Sequence, residues 1–238
     1  MPIYEREKEY MSLLAIREHT VSELSKILFI SEPTVRRDIT QMRKKELVEC
    51  RRGVVSLKTR SPNEQIPLFI RQLEHSDKKQ KIAERAASLI KDGMVIMLDA
   101  STTACAIVPH LARFNKLFVI TSGARTAIAL AAMGIRTLCT GGEMILESLS
   151  YVGGDAARTL SGYTADIAFF SCSALSDSGL ATDNSIAEND IRKIMISRAK
   201  QSYLVCDSDK LGKTDLNILC DVKDIDGVIT DDRVRMSQ

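Results

Sequence analysis

The sequence predicts an α+β winged helix-turn-helix domain followed by an α/β domain with a mainly parallel sheet. The first domain is indicated by three helical patterns and a basic-tipped hairpin within residues 1–57. The second is indicated by helical and strand-like segments that alternate from residue 78 onward, as in a parallel sheet covered by helices. Residues 58–70 contain two prolines and no apolar periodicity, which predicts an exposed linker. The second domain, 71–238, is expected to bind an effector and to oligomerise.

Apolar spacing predicts the first two helices. Residues 5–18 and 20–28 carry apolar side chains at helical intervals. Either Thr20 or Ser22 is suited to cap the second helix, because a hydroxyl can accept a bond from a free backbone N–H. The tight turn that follows is expected to be filled by two apolar residues, Phe29 and Ile30.

The third helix has the features of a helix that reads DNA. Ser31 is a good N-cap residue whose hydroxyl is expected to accept a backbone N–H. Pro33 lies in the first turn, where its missing N–H costs nothing. An inward stripe is formed by Val35, Ile39 and Met42. The outer faces are left with short polar and Arg side chains, which suit the reading of base edges in a major groove.

A hairpin with a basic tip is predicted after the third helix. Two short apolar runs, 47–50 and 54–57, flank the turn Arg51-Arg52-Gly53, and the two arginines are expected to contact phosphate. Residues 1–60 hold thirteen Lys and Arg against nine Asp and Glu, so the excess of positive charge lies with this motif. The residues predicted to contact DNA are Ser31, Thr34, Val35, Arg36, Arg37, Arg51 and Arg52. An ordinary three-helix domain with solvated charges is the alternative interpretation.

Composition excludes several classes of protein. The 238 residues are 45% hydrophobic and 27% charged, which is ordinary for a globular chain. No apolar run reaches 18 residues and the N-terminus has no signal-peptide pattern, so we expect a cytoplasmic protein with no membrane partner. The six cysteines form no C-x-x-C pair and are expected to be small core residues. We therefore predict no cofactor and no metal site.

Polar loops in the second domain predict a ligand crevice. Strands are expected at 94–99, 117–121, 135–140, 166–171, 203–207 and 227–231. Helices are expected at 78–91, 103–113, 124–133 and 187–198, with a further one inside 155–163. Polar or glycine-bearing loops follow four of the strands, at 99–103, 121–123, 140–143 and 207–210. Ligands of open α/β sheets bind beyond the carboxyl ends of the strands, and hydroxyls beside helix N-termini favour anions. If each loop is only a helix cap, no such site exists.

The pattern over nearly the whole chain resembles the DeoR family of bacterial transcription regulators. Residues 30–39, Ile-Ser-Glu-Pro-Thr-Val-Arg-Arg-Asp-Ile, are similar to the family signature Val-Ser-x-x-Thr-Ile-Arg-Arg-Asp-Leu. Other matching pieces are Lys81-Ile82-Ala83, Gly141-Gly142, Gly153-Gly154, Asp166-Ile167-Ala168-Phe169, Gly179-Leu180, Lys210 and Ile229-Thr230-Asp231. The resemblance implies a sensor domain similar in fold to ribose-5-phosphate isomerase and glucosamine-6-phosphate deaminase. It also implies a sequence-specific DNA-binding repressor of carbohydrate-metabolism genes, modulated by a phosphorylated sugar or a related small ligand.

The chain departs from the family pattern in the sensing loops. The family's Asp-Ser-Gly-Thr-Thr is here Asp99-Ala100-Ser101-Thr102-Thr103, so a glycine that lets backbone approach a phosphate is replaced by a serine that can cap. The effector is therefore expected to be altered, weakened or absent. The residues predicted to meet an effector are Lys81, Asp99, Ser101, Thr102, Thr103, Thr121, Ser122, Gly141, Gly142, Asp166, Glu188 and Lys210.

Two alternatives accompany the prediction of a regulator that is not an enzyme. One is a sugar-phosphate isomerase or deaminase with a DNA-binding appendage, for which Asp99, Asp166 and Glu188 are the candidate bases. The other is a DNA-binding regulator whose second domain only oligomerises. The expected partners are a double-stranded DNA operator, a phosphosugar effector and further copies of the chain, as a homo-dimer or homo-tetramer.

Overall fold

The computed structural model describes residues 3–58 and 75–236. The chain divides into two compact units, Met1–Glu74 and His75–Gln238. The predicted linker, 58–70, lies outside the described residues except for Lys58. None of the helices in the described ranges has both the length and the hydropathy that are needed to cross a membrane.

The first unit is a winged helix-turn-helix, as predicted. Its helices are α1 (Ile3–Ile16), α2 (Val21–Ile27) and α3 (Glu32–Lys44). A hairpin follows, formed by β2 (Val48–Arg51) and β3 (Val54–Leu57), and the short strand β1 (His19–Thr20) pairs with β3. The core contains the fully buried side chains of Tyr10, Leu24, Val35, Met42 and Val55. The pairing of β1 was not predicted, because two residues are too short for a recognisable strand pattern.

The turns and caps of this unit are set by a few residues. Thr20 is the N-cap of α2, with its hydroxyl 3.1 Å from the Glu23 N–H. The prediction for Ser31 is half right: it is the N-cap of α3, but its hydroxyl lies 2.9 Å from the Thr34 hydroxyl and makes no bond to backbone. At the hairpin tip, Arg52 and Gly53 both have positive φ, at 51° and 81°, which is the geometry of a type I′ turn.

Phe29 does not fill the turn before α3, contrary to the prediction. Its φ is 55° and the residue is 94% exposed, whereas Ile30 is half-buried. The left-handed backbone at Phe29 turns the ring outward, so only Ile30 contributes to the core.

The second unit is built on a seven-stranded sheet that is parallel except at one edge. Its strands are β4 (Val95–Leu98), β5 (Phe118–Thr121), β6 (Arg136–Cys139), β9 (Ala165–Phe170), β12 (Ala199–Val205), β14 (Gly227–Ile229) and β15 (Val234–Met236). The order is β15-β14-β12-β9-β4-β5-β6, and only β15 runs antiparallel to its neighbour. Strands β4 and β9 lie at the centre, which explains their nearly continuous apolar sequences.

Helices cover both faces of this sheet. They are α4 (Ser76–Ala87), α5 (Thr102–Cys105), α6 (Ala124–Ala132), α7 (Gly153–Ser161) and α8 (Ile186–Arg198). On one face, Ile82 of α4 and Leu130 of α6 pack against sheet residues such as Ile96. On the other, Leu160 of α7 and Met195 of α8 pack against residues such as Met97. The predicted three-layer α/β architecture is thereby confirmed.

Several local elements differ from the prediction. The single helix expected at 103–113 is α5 followed by a 3-10 helix, Val108–Arg113, with Pro109 at its start. A hairpin of β7 (Glu143–Ile145) and β8 (Ser150–Val152) was not expected. A second small sheet was also missed, formed by β10 (Ala174–Leu175), β11 (Leu180–Asp183) and β13 (Asn217–Asp221). These strands have two to five residues and too little alternation to be recognised.

Candidate DNA interface and effector crevice

The outer face of α3 and the tip of the β2–β3 hairpin carry the predicted DNA contacts. Arg36 and Arg37 are exposed, and Arg36 lies 3.4 Å from Glu32 one turn earlier, while Thr34 is half-buried near the start of the helix. Arg51 and Arg52 are exposed on the hairpin. Arg51 lies 2.8 Å from Glu49, and these exposed ion pairs can be exchanged for phosphate or base edges.

Val35 is the exception among the predicted DNA contacts. Its side chain is fully buried against the core of the first unit, so it is unavailable to DNA. Its place in the inward stripe explains this, because residues 35, 39 and 42 share one face of α3.

A buried ion pair fixes α3 to α1. The Asp38 carboxylate, fully buried, accepts bonds from Arg6 at 2.7 and 3.0 Å and lies 3.3 Å from the Tyr10 hydroxyl. Burial and the neighbouring Asp38 carboxylate raise the pKa of Tyr10 well above its usual range. This cluster was not predicted from the sequence. The available signal was Asp38 itself, a carboxylate next to the inward-facing Ile39.

In the second unit, the loops after β4, β5 and β6 meet at one end of the sheet. The β7–β8 hairpin is joined to the loop after β5, because the Tyr151 N–H donates to the Ser122 carbonyl at 2.7 Å and the Ala124 N–H donates to the Leu149 carbonyl at 3.0 Å. Gly123 of this loop contacts the loop after β4, since a Cβ on it would lie 2.9 Å from Cα of Ala100. Three of the four predicted loops therefore meet, with a hairpin added, while the fourth, 207–210, follows β12, two strands away from β4.

Asp99 organises the loop after β4. One carboxylate oxygen accepts the Ser101 N–H and hydroxyl, and the other accepts the Ser171 N–H and Arg192 Nε, both at 3.0 Å. Both oxygens are occupied by protein donors, so Asp99 positions the loop and is not placed to bind a ligand hydroxyl as predicted. Ser101 caps α5 by accepting the Ala104 N–H at 3.1 Å.

Arg192 of α8 is a buried cation that the sequence analysis missed. It lies 3.0 Å from Asp99, 2.9 Å from Asp183 and 3.9 Å from Glu188, and it donates to Asn189 at 3.1 Å. Burial disfavours its charge, but the pKa of Arg192 is still raised because three carboxylates surround it. Arg192 also lowers the pKa of Asp183, although burial alone would raise that pKa. Glu188 and Arg192, four residues apart on one helix, were the available signal.

Lys210 points towards the carboxyl end of β9. Its ammonium donates to the Cys172 carbonyl at 2.7 Å and lies 3.3 Å from the Ser171 hydroxyl. The Lys210 side chain is half-buried. It therefore holds a positive charge at the rim where an anion is predicted to bind.

Lys81 does not hold the position that the resemblance implied. It is exposed on α4, and the contact with the 207–210 loop is made by Lys78, at 2.9 Å from the Ser208 hydroxyl and 2.8 Å from Asp209. The two lysines are three residues apart, so Lys81 lies almost one turn further along α4 than Lys78.

Asp166 lies at the wrong end of the sheet for the predicted role. It is the second residue of β9, where it accepts the Val95 N–H at 2.8 Å and pairs with Lys200 at 2.8 Å. The bond from Lys200 lowers its pKa. These partners are at the amino ends of β4 and β12, opposite the rim that carries Lys210.

The remaining predicted residues line or shape the rim. Thr103, Thr121 and Ser122 are buried and Thr102 is half-buried. The Thr121 hydroxyl accepts the Gly123 N–H at 3.0 Å. Gly141 and Gly142 form a left-handed turn, with φ values of 65° and 107°.

Two buried hydroxyls near this rim have no hydrogen-bond partner among the described residues. They are Thr140 Oγ1, directly after β6, and Ser148 Oγ, in the β7–β8 loop. Ser148 precedes Leu149, whose carbonyl is bonded to the loop after β5. Buried polar atoms are normally paired, so a water or a ligand is the expected partner of each. Neither residue was among the predicted effector contacts.

Comparisons with known proteins assign both units. Residues 74–232 match the family described as the DeoR C terminal sensor domain. Residues 9–49 match the family described as bacterial regulatory protein, arsR family, a helix-turn-helix model. The HTH-type transcriptional regulator GolR of Listeria innocua is 32% identical, over 97% of this chain and 91% of its own. The lactose phosphotransferase system repressor of Staphylococcus epidermidis is 28% identical, over 96% and 92%.

The chain was also compared with solved structures. The translation initiation factor eIF-2B of Pyrococcus horikoshii matches with a TM-score of 0.51 and 17% identity, over 71% of this chain and 66% of that chain. A ribose 5-phosphate isomerase of Methanocaldococcus jannaschii matches with a TM-score of 0.44 and 21% identity, over 58% and 55%.

Proposed function

Because this chain belongs to the DeoR family of transcription regulators, we propose that it is a DNA-binding repressor of carbohydrate-metabolism genes whose affinity for its operator is set by a phosphorylated sugar or related small anion. Transcription regulation through DNA is the family's role. The repressor function and the sugar-related target follow the names of relatives such as the lactose phosphotransferase system repressor.

The observation that carries DNA binding is the pairing of an exposed basic face on α3 with a basic hairpin tip. Arg36, Arg37, Arg51 and Arg52 are exposed, while α3 is anchored from behind by the buried Asp38. A fixed helix with a basic outer face meets the geometric needs of major-groove reading, and the hairpin tip adds phosphate contacts.

An anionic effector is supported by the chemistry of the sheet's rim. Lys210 supplies a half-buried cation, while Thr140 and Ser148 supply buried hydroxyls that lack partners among the described residues. A phosphate would pair with the lysine. Thr140 follows β6, four strands away from β12, so its hydroxyl belongs to a separate part of the rim and would meet another polar group or a water. Of the predicted contacts, we retain Ser101, Thr102, Thr103, Ser122 and Lys210 as candidates and assign positioning to Asp99.

The residue next to Lys210 contacts the first residues of the second unit. This residue, Asp209, pairs with His75 at 3.0 Å and with Lys78 at 2.8 Å. His75 begins the second unit, so a ligand that shifts Lys210 would also disturb Asp209 and its two partners there. Such a ligand changes DNA affinity only if it binds the two states of the protein unequally.

The positions of the carboxylates argue against the enzyme alternative. A general base must reach substrate with a free oxygen, whereas Asp99 is fully occupied, Asp166 lies at the opposite end of the sheet, and Glu188 is buried beside Arg192. The oligomerisation alternative differs from our proposal in one respect only, the absence of an effector.

A combined ligand and DNA experiment tests the proposal. A duplex selected from a random library by the protein serves as the operator, and ribose 5-phosphate, glucose 6-phosphate and inorganic phosphate serve as probes. We expect at least one probe to raise the melting temperature and change operator affinity, and Lys210→Ala to abolish both effects. Lys81→Ala is the matched control, because Lys81 is exposed on α4. An effect that survives in Lys210→Ala would remove the assigned site, and no response to a wide sugar-phosphate panel would favour the oligomerisation alternative.

A further inference from the structure

Phe29 holds a large aromatic ring in water immediately before the DNA-reading helix. The residue is 94% exposed and has a φ of 55°. The turn around it is fixed from both sides, because the Ile30 N–H donates to the Ser25 carbonyl at 3.1 Å and the Ser25 hydroxyl donates to the Ile30 carbonyl. The backbone at Phe29 is therefore fixed, and it directs the side chain into solvent.

Neither the exposure nor the backbone of Phe29 benefits the folded domain. Left-handed backbone is adopted with least strain by Gly and Asn, and a bulky residue there is uncommon. An exposed ring also forgoes the stabilisation that burial would give. Phe29 therefore lowers the stability of the folded domain through its backbone and through its exposed ring. A contact with a partner outside the domain explains why such a residue stands there.

We propose that Phe29 contacts the 5-methyl group of a thymine at the edge of the base sequence that α3 reads. Phe29 lies two residues before Ser31, the N-cap of α3. Recognition helices present their N-terminal residues to base edges, so the turn that precedes α3 lies at the major groove. Thymine is the base that offers a methyl group there, and Phe is among the side chains that pack against it. This inference rests on the assignment of α3 as the helix that reads DNA.

Deletion of the methyl group and deletion of the ring test the contact together. A duplex selected by the wild-type protein is resynthesised with each thymine replaced in turn by deoxyuridine, which lacks only the methyl group. At one position we expect the wild-type protein to lose affinity about 4-fold, the value for one methyl group removed from water. Phe29→Asn should bind the thymine duplex about 10-fold more weakly, because the whole ring is removed, and should not respond to deoxyuridine at that position.

Two controls separate this contact from other effects. Phe29→Asn should melt at or above the wild-type temperature, because Asn tolerates the left-handed backbone, so its weaker binding is not due to unfolding. Leu216→Asn removes another exposed apolar side chain, 80% exposed in the second unit, and should leave affinity unchanged.

Three outcomes would overturn the proposal. They are wild-type affinity in Phe29→Asn, a deoxyuridine effect that persists undiminished in that variant, and a change in its oligomeric mass, which would place the ring between copies of the chain. Failure of the underlying assignment is recognised separately: Arg36→Ala with Arg37→Ala would then leave operator binding intact.

Discussion

The carboxylate of Asp38 accepts two hydrogen bonds from the guanidinium of Arg6, at 2.7 and 3.0 Å. Asp38 belongs to α3 and Arg6 to α1, so the pair joins the first helix of the chain to the back of the DNA-reading helix. Because the carboxylate is fully buried, water cannot replace a missing partner. The direction of the base-reading face therefore depends on a side chain that does not itself meet DNA.

Asp38→Asn is expected to destabilise the first unit by about 2 kcal/mol, since it removes charge-assisted bonds from a buried site. Urea unfolding followed by circular dichroism measures the change. Glu46→Gln is the control in the same unit, because Glu46 pairs with Lys58 at 3.1 Å while 67% exposed, and exposed pairs contribute little. Equal effects of the two substitutions would contradict a structural role for Asp38.

Arg36→Ala with Arg37→Ala should abolish specific operator binding and leave the fold intact, because both side chains are exposed on α3. Each phosphate that the double variant no longer neutralises should flatten the slope of log affinity against log salt by roughly 1. Electrophoretic mobility shift at several salt concentrations measures both effects. Arg158 is an exposed arginine of α7, and Arg158→Ala should change neither the affinity nor the salt slope. Unaltered operator affinity in the double variant would mean that α3 does not contact DNA.

The capping box of α2 should make the first unit sensitive to acid. The Thr20 N–H and hydroxyl donate to Glu23 at 2.7 and 3.0 Å and lower the pKa of Glu23 from its ordinary 4.5 to about 2. The folded form binds this proton less readily than the unfolded form. The stabilising contribution is therefore complete above pH 4.5 and disappears as the pH falls towards 2.

Glu23→Gln isolates this contribution, because a glutamine keeps the capping geometry without titrating. Thermal unfolding at pH 6 and pH 2.5 should show a larger loss of stability in the wild-type protein than in the variant. A parallel decline of the two proteins would mean that Glu23 does not carry the acid sensitivity.

The parts of the fold that depend on local pattern were predictable from the sequence. Helix α3 and the wing follow from apolar spacing, a turn glycine and two arginines, while the parallel strands follow from runs of apolar residues. Strand β1 has only two residues, and it exists because of its partner β3, which is distant in the chain. A pattern within one segment contains no information about such partners.

The candidate site was predictable in its location and less so in its residues. Spacing places Asp99 and Lys210 at strand ends, but it cannot show that buried Arg192 occupies one Asp99 oxygen from 93 residues away. Asp166 matched the family pattern, yet it stands at the start of β9, where its role is to bind Lys200 and the Val95 N–H. The predicted strand at 166–171 already places Asp166 at an amino end, so its expected role followed from the family resemblance and not from the strand pattern.

Gly142 should be intolerant of any side chain. Its φ is 107°, and a Cβ on it would lie 2.5 Å from the Val152 carbonyl oxygen and 3.1 Å from the Ala156 nitrogen, so backbone would have to move. Gly142→Ala is expected to destabilise the second unit by about 3 kcal/mol through strain and overpacking. Gly154→Ala is the matched control, because Gly154 lies in α7 and a Cβ there would meet open space. This substitution should leave the stability of the second unit unchanged or raise it slightly. Calorimetric unfolding measures the stability of both variants. A Gly142→Ala protein as stable as the wild type would show that the β7–β8 hairpin can shift away from the rim.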